Sequence, residues 1–279
     1  MTITGVARII TGRPVHPVGE DGRMALSDHL RELRARILKV ALILIAGGLL
    51  ALVFYNNVFE LVYGPLNTAR DNLPNADDVL PTSNGPGAGL LIYFKLCGFA
   101  SVVLTSPLWL YQIWAFIVPG LNSREKKSSR VFAGIAGPLF IAGVALGYVT
   151  LPKGLEILIG FNPPGLTNIV DFDDYLQFFS RTLLVFGIAF EIPLFVVLLN
   201  LAGIISGKAL GAYRPWIIVG VFVFAAVATP SGDPFTMTLM AVPMIVLFAI
   251  SEVIARLNDR RRAKRRAEKE IDLDVASPL

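Results

Sequence analysis

Six apolar segments divide this chain, and they constrain its fold more than any other feature. They cover residues 37–55, 90–117, 131–151, 175–202, 216–228 and 235–254. A helix rises ~1.5 Å per residue, so a hydrocarbon layer of ~30 Å takes ~20 residues. The first four segments meet that length. The fifth reaches only ~20 Å by the same rise, and Pro243 interrupts the sixth. The last two therefore read as a short pair joined by the tight turn Pro230-Ser231-Gly232-Asp233-Pro234. A re-entrant hairpin is the other reading of this pair; full spanning is preferred. Only 16% of the residues are charged and 54% are hydrophobic, against about 25% charged in a soluble domain. The chain is expected to be an all-α integral membrane protein in a lipid bilayer. Disorder and nucleic-acid binding are excluded for the chain as a whole.

Orientation follows from the loops. Of 25 Lys and Arg, 20 fall in residues 1–36, 119–130, 203–214 and 252–279, whereas the alternate loops hold two, Arg70 and Lys153. Basic loops stay cytoplasmic, so both termini are expected in the cytoplasm and the protein in the cytoplasmic membrane. No cleavable signal peptide is visible in the first 36 residues. Residues 1–25 read as a disordered cytoplasmic extension, 26–256 as the membrane domain and 257–279 as a charged cytoplasmic tail. The one cysteine, Cys97, leaves no partner for an intrachain disulfide.

Motifs for chemistry are missing. The two histidines, His16 and His29, lie in the amino-terminal region, away from any intramembrane serine, and no H-E-x-x-H zinc motif exists. Gly207-Lys208 lacks the rest of a P-loop: Ala202 stands at the first glycine and Ala209 after the lysine. Ser231-Gly232-Asp233 has the look of an aspartyl protease motif without a second aspartate. The expectation is a protein that is not an enzyme and holds no metal or cofactor. Work at the membrane would then draw on the proton gradient or on partners.

Several polar residues stand out against the apolar background. Glu191 lies mid-segment in Phe186-Gly-Ile-Ala-Phe-Glu-Ile-Pro193. A carboxylate at that depth is costly and normally faces a protein interior or a wet cavity. Pro193 removes a backbone donor beside it, and Gln177 falls on the same helix face. The pair is expected to face a cavity, against the blander reading of a protonated glutamate bonded to a neighbouring helix. Lys95 and Arg181, nearer the ends of their segments, read as snorkelling cations. Gly143-x-x-x-Gly147 permits close helix packing. Glu32, in His29-Leu-Arg-Glu-Leu-Arg-Ala-Arg36, and Glu125, in Ser123-Arg-Glu-Lys-Lys127, are acids within two strongly basic stretches. The bland reading pairs each with its own basic neighbours. Ser27 or Asp28 is placed to cap the first helix.

These motifs occur in a recognisable order. His29-Leu-x-Glu-Leu-Arg-x-Arg36 comes first, and Pro107-x-x-x-Tyr-Gln-x-Trp-Ala-Phe-x-x-Pro-Gly-Leu121 with Arg124-Glu125 follows. Phe186-Gly-x-x-Phe-Glu-x-Pro193 and Thr229-Pro230 through Asp233 complete the series. Together they resemble the TatC family, the multispanning receptor subunit of the twin-arginine protein translocase, from about residue 26 to 256. The resemblance implies a cup-shaped bundle of six transmembrane helices with cytoplasmic termini. It implies export of folded proteins driven by the proton gradient, with TatA- and TatB-type single-span partners and self-association in a larger complex.

By the same resemblance Glu32, Arg34, Phe116 and Glu125 match the cytoplasmic site for twin-arginine signal peptides. Pro65, Tyr148, Glu191 and Asp233 match positions tied to transport. Chemistry agrees for the acids: paired arginines present planar forks that need two carboxylates, which lysine does not reproduce. The short fifth segment exposes Val221 and Phe224 as expected contacts of a partner helix. Two departures stand: residues 67–89 do not align, and Met237 replaces a glutamine of some relatives. A proton-coupled small-solute transporter using Glu191 is the alternative function, but no inverted repeat is evident between 37–151 and 175–254.

Overall fold

Proline, glycine and short polar runs punctuate the long apolar stretches, and the elements follow that punctuation. The computed structural model describes residues 26–73, 79–121, 126–162, 167–228 and 233–275, which form nine helices and two short strands. In chain order these are α1 (Leu26–Val53), α2 (Tyr55–Asp71), β1 (Val79–Thr82), α3 (Ala88–Leu104), α4 (Ser106–Leu121) and α5 (Lys126–Gly160). Then come β2 (Asn168–Asp171), α6 (Phe172–Leu201), α7 (Gly207–Ala212), α8 (Arg214–Ala228) and α9 (Pro234–Val275). The amino-terminal extension, Asp28's side chain, Glu125 and the turn at 229–232 lie outside the described residues.

Four stretches are each long and apolar enough to cross a membrane: His29–Val53, Gly134–Gly160, Phe172–Leu201 and Pro234–Lys264. The second apolar segment departs from the expected straight span. It is broken into α3 and α4, bent by 58°. Pro107 explains the bend. Proline disfavours helical geometry in the preceding residue and cannot donate to the carbonyl four positions back. That carbonyl belongs to Val103, and Ser106 Oγ donates to it at 2.7 Å instead. Counted as one span, the bent pair is a fifth, while Arg214–Val227 is a shorter apolar helix.

The acidic loops hold more structure than expected. Residues 55–71, read as loop, form α2, and part of the stretch that aligned with nothing becomes β1, which pairs in parallel with β2. Leu80 stands opposite Ile169 and Thr82 opposite Asp171. Asp171 caps α6 by accepting from the Asp173 amide at 2.8 Å. Helix α9 continues past the apolar stretch as one helix to Val275.

Helices α5 and α6 form the centre. Phe140, Phe179, Leu176 and Leu183 are fully buried there, with Val62 and Leu66 of α2 and Leu96 of α3. Close approach depends on glycine: a Cβ at Gly143 would lie 2.6 Å from the Phe186 carbonyl, and one at Gly187 would lie 2.6 Å from the Phe140 ring. The small-residue spacing noted in the sequence thus serves packing within this chain. A smaller cluster of Phe186, Ala225, Met240 and Met244 joins α8 and α9 to α6.

Up-and-down alternation gives the bundle two ends. One, the basic end, gathers the start of α1, the end of α4, α7 and the carboxyl half of α9. The other, the acidic end, gathers α2, both strands and the start of α9. At the basic end Asn200 Nδ2 donates to the Ile205 carbonyl and to Asp259 Oδ1, both at 2.9 Å. Asp259 Oδ2 accepts from the Gly207 amide at 2.7 Å, and Asn258 donates to Asn200 Oδ1 at 2.8 Å. A buried asparagine needs such partners, and this knot fixes α7 against α6 and α9.

Candidate functional site

At the start of α1 the sequence spaces Glu32 and Arg36 four apart, on one helical face. Arg36 donates to Glu32 Oε1 through Nε at 2.9 Å and Nη2 at 2.5 Å. Its Nη1 reaches Gln112 of α4, at 3.4 Å to Oε1 and 3.5 Å to the carbonyl. One turn earlier His29 stacks on Phe116, ring centroids 4.5 Å apart. Glu32 and Phe116 therefore share one patch between α1 and α4. Arg34 is exposed. Ser27 lies in the first described turn of α1.

Between Gln112 and Phe116 on α4, Trp114 is buried and donates its indole N–H to Glu191 Oε2 at 3.1 Å. Phe132 and Phe195 lie against the indole, with centroids 6.0 and 6.4 Å away. The other oxygen, Glu191 Oε1, is buried with no hydrogen-bond partner among the described residues. Gln177 is exposed and Glu191 is half-buried.

Pro65 and Tyr148, far apart in sequence, meet at the acidic end. Pro65 sits inside α2 and cannot donate to the Leu61 carbonyl. Tyr148 of α5 supplies that bond, its hydroxyl donating to the Leu61 oxygen at 3.0 Å. Tyr175 of α6 does the same for the Val62 carbonyl at 2.5 Å. Asp233 caps α9: its Oδ1 accepts from the Thr236 amide at 2.8 Å. Of the two residues expected to meet a partner helix, Val221 packs partly against the α6–α9 cluster and Phe224 is exposed.

The cations read as snorkelling have partners on other elements of the chain, at exposed positions. Lys95 Nζ pairs with Asp173 at 2.7 Å, tying α3 to α6. Arg181 donates to the Val227 carbonyl at 3.2 Å, at the carboxyl end of α8 where a helix dipole favours a cation.

Sequence reasoning missed Glu252. Near the basic end its carboxylate is only 3% exposed and takes two arginines. Arg214 Nη2 lies 2.8 Å and Arg256 Nη2 2.6 Å from Glu252 Oε1. Arg214 Nε also reaches Oε2, at 3.1 Å. The signal was present as Glu252 and Arg256 four apart; the contribution of Arg214 depends on how α8 docks. Trp114 and Gln112 were visible within the Tyr-Gln-x-Trp motif but had no assigned partner.

Comparison with known proteins gives one consistent answer. Residues 28–243 match the family model of TatC, the Sec-independent protein translocase protein. The TatC protein of Frankia casuarinae is 40% identical over 93% of this chain and 74% of its own length. That of Xylanimonas cellulosilytica is 39% identical over 89% of this chain and 90% of its own. A crystal structure of a twin-arginine translocase receptor, TatC in DDM, superposes with a TM-score of 0.69. It is 32% identical and covers 81% of this chain and 99% of that one.

Proposed function

This chain belongs to the TatC family of Sec-independent protein translocase proteins, and from that premise we propose that it is the membrane receptor of a twin-arginine translocase. It binds the twin-arginine signal peptides of folded cargo and, with TatA- and TatB-type single-span subunits, supports proton-gradient-driven export across the cytoplasmic membrane. The bent α3–α4 pair and the short α8 complete six spans in a cup. Both termini, and hence the basic end, face the cytoplasm, as the loop charges require. The small-solute transporter is set aside, because the family match extends across four-fifths of the chain.

The observation that carries the reading is the α1–α4 patch. Glu32, Arg36, Gln112, His29 and Phe116 join there, and α4 ends at Leu121, four residues before Glu125. In this reading Glu32 and Glu125 each accept one arginine of the signal, beside Arg34 and Phe116. Arg36 holds the Glu32 carboxylate in place until a signal arginine joins or replaces it. Pro65, Tyr148, Glu191 and Asp233 act in the later transport step, and Val221 and Phe224 line the edge met by a partner helix.

Each arginine–carboxylate contact is partly exposed and contributes roughly 1.5–3 kcal/mol at most. Losing one weakens binding about ten- to a hundredfold. The test is binding of a twin-arginine signal peptide to the protein in detergent, with a twin-lysine peptide as control. Glu32→Ala and Glu125→Ala should each weaken the first, and Glu125→Lys more than Glu125→Ala. Parent-like binding by both alanine variants would mean that these acids serve only their basic neighbours.

A further inference from the structure

The corner where α7, α8 and α9 meet carries a second constellation. Glu252 Oε1 is shared by Arg214 and Arg256, so one carboxylate faces two guanidiniums and the group keeps a positive charge. Both arginine side chains remain half exposed, at 57% and 50%. Each guanidinium has five N–H donors in a planar fork, and the shared acid uses only part of them. Lys208 is exposed on α7, next to Gly207. A Cβ at Gly207 would lie 2.6 Å from the Arg256 amide nitrogen, so α7 lies directly on α9 at this point.

Immediately beside these cations are two exposed aromatics, Tyr213 and Trp216, at 63% and 74%. Tyrosine and tryptophan in such positions sit at headgroup level. Below Trp216 an apolar stripe runs down α8 through Val219, Val223 and Val227, all exposed. On the opposite side of α8 Ala225 is fully buried. Phe224 projects roughly 80° around the helix from this stripe, so the stripe and the flank proposed for a partner helix are different faces.

We propose that this corner binds one anionic diacyl phospholipid. The phosphate lies against Arg214, Arg256 and Lys208, Tyr213 and Trp216 bracket the glycerol region, and an acyl chain follows the Trp216–Val227 stripe. Charge selects the ligand: guanidinium forks pair bidentately with phosphate oxygens, and basic pockets between helices at the membrane surface take anionic headgroups. Glu252 positions the two arginines and prevents them from repelling each other when no lipid is present. The site is separate from the Glu32 patch and does not depend on the signal-peptide reading.

The experiment uses the full chain in phosphatidylcholine nanodiscs and reads tryptophan fluorescence. Trp216 is the exposed indole, whereas Trp114 is buried and Trp109 packs against the core. Brominated phosphatidylglycerol should quench at a several-fold lower mole fraction than brominated phosphatidylcholine. Lys208→Gln and Arg256→Gln should each shift the phosphatidylglycerol curve by about fivefold, the effect of one cation at an anionic surface. The phosphatidylcholine curve should not move. Lys208 is exposed, so Lys208→Gln serves if Arg256→Gln fails to fold. Free glycerol 1-phosphate should not restore fluorescence. Equal curves for the two lipids, which is what bulk lipid, a second copy or a partner helix on the stripe would give, overturn the proposal. Unshifted variant curves, or full recovery with glycerol 1-phosphate, overturn it as well.

Discussion

Glu191 and Glu252 both sit in long apolar helices, and their surroundings treat them in opposite ways. Glu252 is almost fully buried, yet both oxygens are engaged by two arginines from α8 and α9. Glu191 has one indole donor, and its second oxygen is buried without a partner among the described residues. An acid whose bonds are all made supports the fold. An acid with an unmet bond costs stability and persists where something else depends on it. The same contrast separates two regions of the bundle: α7, α8 and the carboxyl half of α9 meet at acids and amides whose acceptors are all engaged, while the α4–α6 contact holds an acid with one oxygen unmet.

The comparison would break first at Glu252. Glu252→Ala leaves two arginines without their anion and should lower stability by roughly 1–3 kcal/mol, the half-exposed arginines limiting the loss. Thermal unfolding in detergent measures this as a fall of several degrees. An unchanged unfolding temperature would show that the network is surface decoration. Trp114→Phe should cost about 1–2 kcal/mol, because it removes the one observed donor to a buried carboxylate. That loss should largely vanish in a Glu191→Leu background, a coupling that a double-mutant cycle resolves.

Tyr148→Phe should cost about 0.5–1.5 kcal/mol by stripping the Leu61 carbonyl of its donor. Pro65→Ala restores a backbone N–H four residues on, so the same substitution in that background should cost close to nothing. Equal costs in both backgrounds would mean that the tyrosine does not replace the proline's missing bond. The smallest stability change belongs to Glu191→Leu: about zero or slightly positive, since an incompletely paired buried acid is removed. Export of a twin-arginine cargo should nevertheless fall. Normal export by a well-folded Glu191→Leu protein would remove Glu191 from the transport step.

Much of this was legible beforehand, for physical reasons. Apolar length located the long helices because a bilayer admits few alternatives. Glu191 stood out because a carboxylate in an apolar run is conspicuous by itself. The break at Thr105 was hidden because Pro107 reads equally as a kink within one helix or the start of another, and the serine that takes the freed bond is silent in hydropathy. The strands were hidden because four-residue runs such as Val79–Thr82 pair with a segment more than eighty residues away. Pro65 and Tyr148 were singled out by resemblance, but the bond from Tyr148 to the Leu61 carbonyl that Pro65 leaves free depends on helix packing and not on spacing.

The parallel pairing of β1 with β2 also bears on the order of assembly. A hairpin can close as soon as both strands exist, but parallel strands need a crossover between them. Here the crossover is α3, α4 and α5. Closing so long a loop carries an entropic cost that only the intervening helices can offset by packing first. Residues 79–82 must therefore wait unpaired while three more helices take their places and the chain returns. The strand pair is a late latch: it closes only on molecules in which all three have already taken their places.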